Sequence, residues 1–518
     1  YYKADDRQAY ADVMANINKR FGDLSLSANI GGSFTQTYYD ERGFQGGLKD
    51  MSNVFSLYNM TTTLDKDTYP IESGYKQRTN SIFASVEIGW KSMLYMTLTG
   101  RNDWDSALIN TEQSSFFYPS IGLSGVISEM VKLPKAITYL KVRGSFASVG
   151  APIPKNLSSN KTYEWDPATS QWKLQTYRPL PKLYPERTNS WEAGLNAKFF
   201  NNSLSLEVTW YKANTRKQTF QVPLSGTAVY ATMYAQSGNI ENKGMEFSLG
   251  YNKSWGDFSW NSNLTFSFNK NKIVELLDDA VDDEGNHYSL NEIDKGGIGS
   301  AKVILRKGGS MGDMYVTNRL KRDNEGNVYI DKASQNVKKE DIKNSDEFIH
   351  IGSVLPKSNL GFRNDFSYKG ISLGFMLAAR FGGIVISPTQ AVMDQFGVSK
   401  VTALARDNEG VPVNNGKVDP QTYYTEVGGI SGLMSNYVYS ATNVRLQELS
   451  VGYSLPAKWF NNKCNLSLSI TGHNLWMIYN KAPFDPEATA STGTYYQGVD
   501  YFMQPSLRSW GFNVKIQF

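Results

Sequence analysis

Residues 506–518 read Ser506-Leu507-Arg508-Ser509-Trp510-Gly511-Phe512-Asn513-Val514-Lys515-Ile516-Gln517-Phe518. Trp510, Phe512, Val514, Ile516 and Phe518 alternate with Ser509, Gly511, Asn513, Lys515 and Gln517. A period of two sends one set to each side of a sheet, so one face is apolar and the other polar. A closing strand with one oily face, one wet face and a terminal aromatic residue is the pattern of an outer-membrane β-barrel.

The same period recurs upstream. Leu24, Leu26, Ala28 and Ile30 alternate with serines and Asn29, and Ile82, Ala84, Val86, Ile88 and Trp90 follow the same rule. Leu140, Val142, Gly144 and Phe146 stand against Lys141, Arg143 and Ser145; residues 191–199, 204–210, 245–251, 258–268, 360–368, 371–379, 444–455 and 466–470 repeat it. Within 444–455 the apolar parity slips between Leu446 and Leu449, which predicts a β-bulge. The pattern predicts about fifteen strands of roughly ten residues, the length a tilted strand needs to cross a bilayer.

The connections carry a second signal. Short ones fall at 20–23, 91–92, 201–202, 254–257, 369–370 and 456–463, and long ones at 38–79, 102–116, 149–187, 215–240, 271–356, 381–441 and 476–505. Bacterial barrels have short periplasmic turns and long extracellular loops, so this alternation predicts sidedness: the last strand ends in the periplasm and the first starts outside the cell. An odd number of antiparallel strands cannot close a ring. An odd number of further strands is therefore expected upstream, and residues 1–518 are expected to be the C-terminal part of a larger barrel.

Composition agrees. There is no apolar run long enough for a spanning helix. A mean hydropathy of −0.42 is what a barrel gives, because only alternate residues of short strands meet lipid. Lys+Arg 53 against Asp+Glu 49 is too near balance to argue for nucleic acid as a partner. The single Cys464 excludes an internal disulfide and a cysteine metal cluster. No signal peptide opens the chain, which starts Tyr1-Tyr2-Lys3 in place of Met; for an exported barrel the N-terminal part is expected to be removed or to lie elsewhere.

Several blocks resemble the SusC/RagA-type TonB-dependent transporters of Bacteroidetes. They are 81–86 with Gly100-Arg101-Asn102-Asp103-Trp104, Phe116-Phe117-Tyr118-Pro119-Ser120, 140–145, Pro185-Glu186-Arg187-Thr188-Asn189-Ser190-Trp191-Glu192, 239–246, 445–453, Gly472-His473-Asn474-Leu475 and Phe484-Asp485-Pro486-Glu487. They occur in family order across nearly the whole chain, together with the terminal strand. The resemblance implies a plugged barrel of about 22 strands, which would put about seven upstream, an odd number as the sidedness requires. It implies energised import across the outer membrane of a Gram-negative bacterium, with an N-terminal plug and barrel part, a TonB contact outside this chain, and a SusD-like surface lipoprotein as lid. The ligands it implies are oligosaccharides, less often peptides.

Parity places Glu87, Lys141, Arg143, Glu192, Lys198, Glu207 and Lys515 on the inner face. Both signs are present without a ring of either, which argues against a charge-selective pore; the charges either pair with a removable plug or simply face a wet lumen. Trp90, Trp191, Trp210 and Trp510 take the outward parity of an interfacial girdle among outer-membrane lipids. Loop aromatics available to stack on a ligand are Trp104, Trp165, Trp172, Tyr230, Tyr234, Phe396, Tyr423, Tyr424, Tyr437, Tyr495 and Tyr496. For each, loop packing or the lipoprotein interface is the alternative.

Other chemistry is sparse. His287, His350 and His473 make no paired ligand spacing. Asp323, Glu325 and Asn327, with the acidic run from Asp278 to Glu284, are compatible with a calcium loop but lack the distal Glu of a twelve-residue site, so a solvated acidic turn is the alternative. No Gly-rich phosphate loop follows a strand and opens a helix, no carboxylate pair is singled out, and no enzyme is read. A passive porin or secretion barrel would want a charged constriction or a passenger, and neither is visible. A soluble surface β-protein is the remaining alternative.

Overall fold

The closing segment pairs as its alternation requires. In the computed structural model, Ser509–Gln517 runs antiparallel to Asn465–Asn480, with Lys515 opposite Ser467 and Asn513 opposite Ser469 on one face. Val514 stands opposite Leu468 and Phe512 opposite Ile470 on the other. Trp510 lies over Gly472, where an added Cβ would stand 2.8 Å from the indole; glycine makes that contact possible. The structure describes residues 2–61, 68–109, 111, 113–153, 157, 163–166, 171–174, 177–178, 184–223, 232–281, 287–331, 333, 336–414, 416–461, 463–491 and 497–517.

Fifteen strands follow one another in an antiparallel path. They are β1 (Tyr2–Phe21), β2 (Leu24–Gln45), β3 (Tyr69–Trp90), β4 (Leu94–Asp105), β5 (Ser115–Val126), β6 (Ile137–Ala151), β7 (Glu186–Phe199) and β8 (Leu204–Pro223). The path continues through β9 (Thr232–Trp255), β10 (Phe258–Glu275), β11 (Ser358–Tyr368), β12 (Ile371–Phe381), β13 (Asn443–Ser454), β14 (Asn465–Asn480) and β15 (Ser509–Gln517). The strand count and antiparallel order agree with the sequence pattern. So does the bulge: β13 pairs Glu448 with Met376 and Leu446 with Leu377, leaving Gln447 out of register.

The short turns have the backbone that tight hairpins need. Lys91 and Ser92 both hold positive φ, as do Lys369 and Gly370, the left-handed pair that matches strand twist. The connection between β5 and β6 is missing from the expected short turns; it holds a brief helix, α1 (Ile127–Met130).

Strand length departs from expectation. β2 and β3 each run 22 residues and β9 runs 24, so the expected loops at 38–79 and 215–240 are partly wall. Above a bilayer both faces of a strand are wet, so hydrophobic alternation fades while the hydrogen-bond ladder continues.

On the long-loop side the connections between β10 and β11, β12 and β13, and β14 and β15 share one core. It includes Leu305, Met314, Val354, Ile386, Met434 and Val499, all buried. One helix, α2 (Pro388–Gln395), enters it through Ala391; α4 (Pro420–Val427) packs against α2, and α3 (Lys400–Asp407) against α4. Each begins at a side-chain cap: Ser387 accepts from the Gln390 amide, Ser399 from Thr402 and Asp419 from Thr422. Pro at the first position of α2 and α4 fixes the entry.

Candidate functional site

Register assigns each wall residue a face. Across β7 to β10 the rows Leu195–Val208–Phe247–Phe266 and Ala197–Leu206–Leu249–Leu264 form an apolar band. One residue away, Glu192–Tyr211–Gly244–Asn269 and Gly194–Thr209–Glu246–Ser267 form the opposite, polar face. A sheet with one continuous apolar band and one polar face is built to stand between lipid and water.

All seven sequence-predicted inner charges lie on this polar face, and three of them meet. Arg143 Nη2 donates to Thr209 Oγ1 at 2.8 Å and Glu207 Oε1 at 3.4 Å, while Nη1 lies 3.8 Å from Glu192 Oε2. Gly194, opposite Arg143, makes room: an added Cβ would stand 2.6 Å from its Nε. The trio lines a hollow of 750 Å³ with Tyr211 and Glu246. The others stay apart. Glu87 accepts from Thr97 at 3.4 Å, Lys141 and Lys198 stand over the rings of Tyr95 and Tyr139, and Lys515 faces Ser467.

Sequence reading missed two further groups on the same face. Arg363 bonds Asp365 at 2.9 Å and Glu448 at 3.3 Å, with His473 Nδ1 3.6 Å beyond. Arg101 bonds Asp103 at 2.7 Å and Ser81 at 2.8 Å, and the Tyr118 hydroxyl donates to Asp103. The parity that placed Arg143 would have placed these residues too.

The loop aromatics divide. Trp104 belongs to β4, on the face of Leu94, Met96 and Leu98, so it takes a girdle position and is corrected from loop to outer wall. Tyr437 is corrected as well: at 3% exposure it is part of the loop core, where burial and then the Asp394 carboxylate push its phenol up. Tyr439 beside it is pushed up to about 12 by burial, then Asp394. Tyr423 and Tyr424 pack edge to face on α4, Tyr423 against Val337, Val413 and Val418. Tyr234 packs beside Leu108, Phe116 and Ile153. Phe396, 73% exposed at the end of α2, and Trp172, exposed on a hairpin that pairs it with Trp165, remain open to a ligand. The side chain of Trp165 and residues Tyr230, Tyr495 and Tyr496 lie outside the described residues.

Asp323 is engaged locally. It accepts from the amides of Glu325 and Asn327 at 3.0 and 2.9 Å and from the Asn327 side chain at 3.2 Å. The Asn327 amide holds its carboxyl below the usual range, burial opposing. These oxygens are the ones a cation would use, so turn and calcium compete for them. Among the described residues no group of three His, Cys, Asp or Glu side chains is placed to hold a metal; Asp282, Asp283 and Glu284 lie outside them.

Comparison with known proteins points one way. The sequence profile "TonB dependent receptor-like, beta-barrel" matches residues 1–300. TonB-dependent receptor P3 of Formosa agariphila is 26% identical over 541 residues, covering 97% of this chain and 51% of that protein. TonB-dependent receptor SusC of Bacteroides thetaiotaomicron is 23% identical over 470 residues, covering 85% of this chain and 43% of its own length. In three dimensions the chain is similar to the RagAB peptide importer in its open-open state, with a TM-score of 0.77 at 18% identity over all of this chain and 55% of that one. The chain thus spans about half the length of the relatives it matches.

Proposed function

We propose, for a chain that belongs to the TonB dependent receptor-like β-barrel family, that it forms the wall and extracellular loops of an energised importer. Its ligands are oligosaccharides or peptides, its setting is the outer membrane of a Gram-negative bacterium of the Bacteroidetes type, and a SusD-like lipoprotein closes over the loops. Its part is passage and recognition, with no bond chemistry assigned to it. The observation that carries this reading is the two-faced fifteen-strand wall under a packed extracellular cap. A ring that includes so many strands encloses a lumen too wide for its own side chains to fill, and an importer that keeps the membrane sealed needs a plug in it. Arg143, Glu192 and Glu207, clustered but still partly open to the lumen, offer that plug exchangeable ion pairs. RagAB is named a peptide importer and SusC a TonB-dependent receptor; both descriptions support import without choosing the ligand.

The test is mass spectrometry of the complex pulled down through this chain from outer membrane in detergent. The importer reading expects plug-bearing sequence, continuous with this chain or bound to it, together with a surface lipoprotein. A folded, detergent-dependent barrel that comes out alone would refute it and return a passive porin.

A further inference from the structure

Just above the apolar band, the outer face of β7 to β10 turns basic. Register sets Trp191, Lys212, Lys243 and Lys270 side by side, one residue pair beyond Trp210, Met245 and Phe268. The next row brings Glu241 opposite Lys272, and the one after sets Arg187 directly opposite Arg216. Like charges facing one another across a ladder repel, and among the described residues Glu241 is the carboxylate that relieves them directly. Glu241 lies 3.0 Å from the Lys212 ammonium and 3.1 Å from that of Lys243. Among the described residues of these rows six cations thus face two carboxylates, Glu241 and Glu275, in a chain whose whole formal net charge is +4.

The long-loop end of the ribbon of β1 to β3 is relieved more fully: Arg7 is paired with Asp5 and Arg42 with Asp40, although Lys3 also stands opposite Arg42. A cleft of 660 Å³ reaches the basic rows, where Lys270, Lys272 and Lys357 line it, with Asp313 and the polar-face Asn269 on its other side.

We propose that this basic strip binds the phosphorylated headgroup of an outer-leaflet glycolipid. The strip is continuous with the band that meets acyl chains, lies on the extracellular side, and carries an unbalanced positive charge at the depth where lipid phosphates sit. A single lipid can therefore lay its chains on Phe247, Phe266 and Leu249 while its phosphates meet the lysines above. The inference rests on the wall crossing the outer membrane and is independent of which ligand passes through it.

The experiment uses the receptor as the cell makes it, purified and placed in nanodiscs, with native mass spectrometry as readout. The probes are lipid A carrying its phosphates, the same lipid enzymatically dephosphorylated, and inorganic phosphate. The account expects phosphorylated lipid A to stay bound, and the variant K243Q/K270Q/K272Q to lose it by at least about tenfold. R42Q, at an arginine paired with Asp40 on the ribbon of β1 to β3, should retain it, and dephosphorylated lipid should bind the unaltered receptor as poorly as phosphorylated lipid binds the triple variant. Equal retention of both lipids, undiminished binding by the triple variant, displacement by millimolar inorganic phosphate, or an acidic protein held there in place of lipid would each overturn it. Heat-modified gel mobility reports folding; if the triple variant does not fold, K270Q alone decides. None of these readouts is transport, so the importer reading stands or falls separately.

Discussion

Arg445, on wall strand β13, donates to Asp485 of the last long loop at 2.9 Å, with the two side chains only 4% and 10% exposed. Glu487 lies 3.2 Å from the same guanidinium, and Asn443 and Asn474 accept from its other nitrogens. Asn474, in the left-handed region at φ 53°, donates in turn to the Ser506 carbonyl. One buried cation therefore ties the beginning and end of a loop to the wall.

Removing that cation strands the buried Asp485 carboxylate. Arg445→Ala is expected to destabilise the protein by about 3–5 kcal/mol, the cost of an uncompensated buried charge. Limited proteolysis of detergent-purified protein should then cut within residues 481–508 first. An unchanged cleavage pattern would show that the loop is held by other means.

The same latch is acid-sensitive. Burial pushes the Asp485 carboxyl up, but hydrogen bonds from Ser506, the Glu487 amide and Arg445 outweigh it and hold the group below the usual carboxylate range. Because the folded value is depressed, the stability it contributes is complete above the unfolded value, roughly 4, and is lost as pH falls through the lower folded value. Protease sensitivity of 481–508 should be flat from neutral pH to about 4 and rise below it; Asp485→Asn should abolish that rise.

How much of this was legible in the sequence depends on range. The closing strand, the bulge at Gln447 and the turn at Lys369-Gly370 are local patterns, and each lies where period and turn chemistry put it. The upper parts of β2 and β9 do not read as strand because, once both faces are wet, nothing in the alternation distinguishes strand from coil. Tyr437 reads as available because its burial depends on a core shared with Met314 and Val499, far away in sequence. Arg445 and Asp485 both fall in recognisable blocks, but forty residues of sequence, most of them wall strand, hide their contact.

The apolar band should reject charge. Phe247 stands on the lipid face opposite Val208 and Phe266, its ring 6.3 Å from that of Phe266. Phe247→Arg is expected to cost about 2–4 kcal/mol of folding stability in lipid, while Ser248→Arg, one residue along and facing water, should cost far less. Equal tolerance of the two, measured by urea titration in liposomes, would contradict the assigned faces.

The inner network should matter to occupancy more than to stability. Arg143 and its two carboxylates are each about a third to a half exposed, so Arg143→Ala should change stability by less than about 1 kcal/mol. If a plug leans on these charges, the same variant should make cells more permeable to large antibiotics. Normal permeability would leave the trio as a wet lumenal network with no plug contact.

The most direct test of energised import is uptake of labelled oligosaccharides and peptides by cells expressing the receptor, with TonB present or deleted. The account predicts saturable uptake of one of these classes that disappears without TonB. Uptake that persists unchanged without TonB would make this wall part of a passive pore and contradict it.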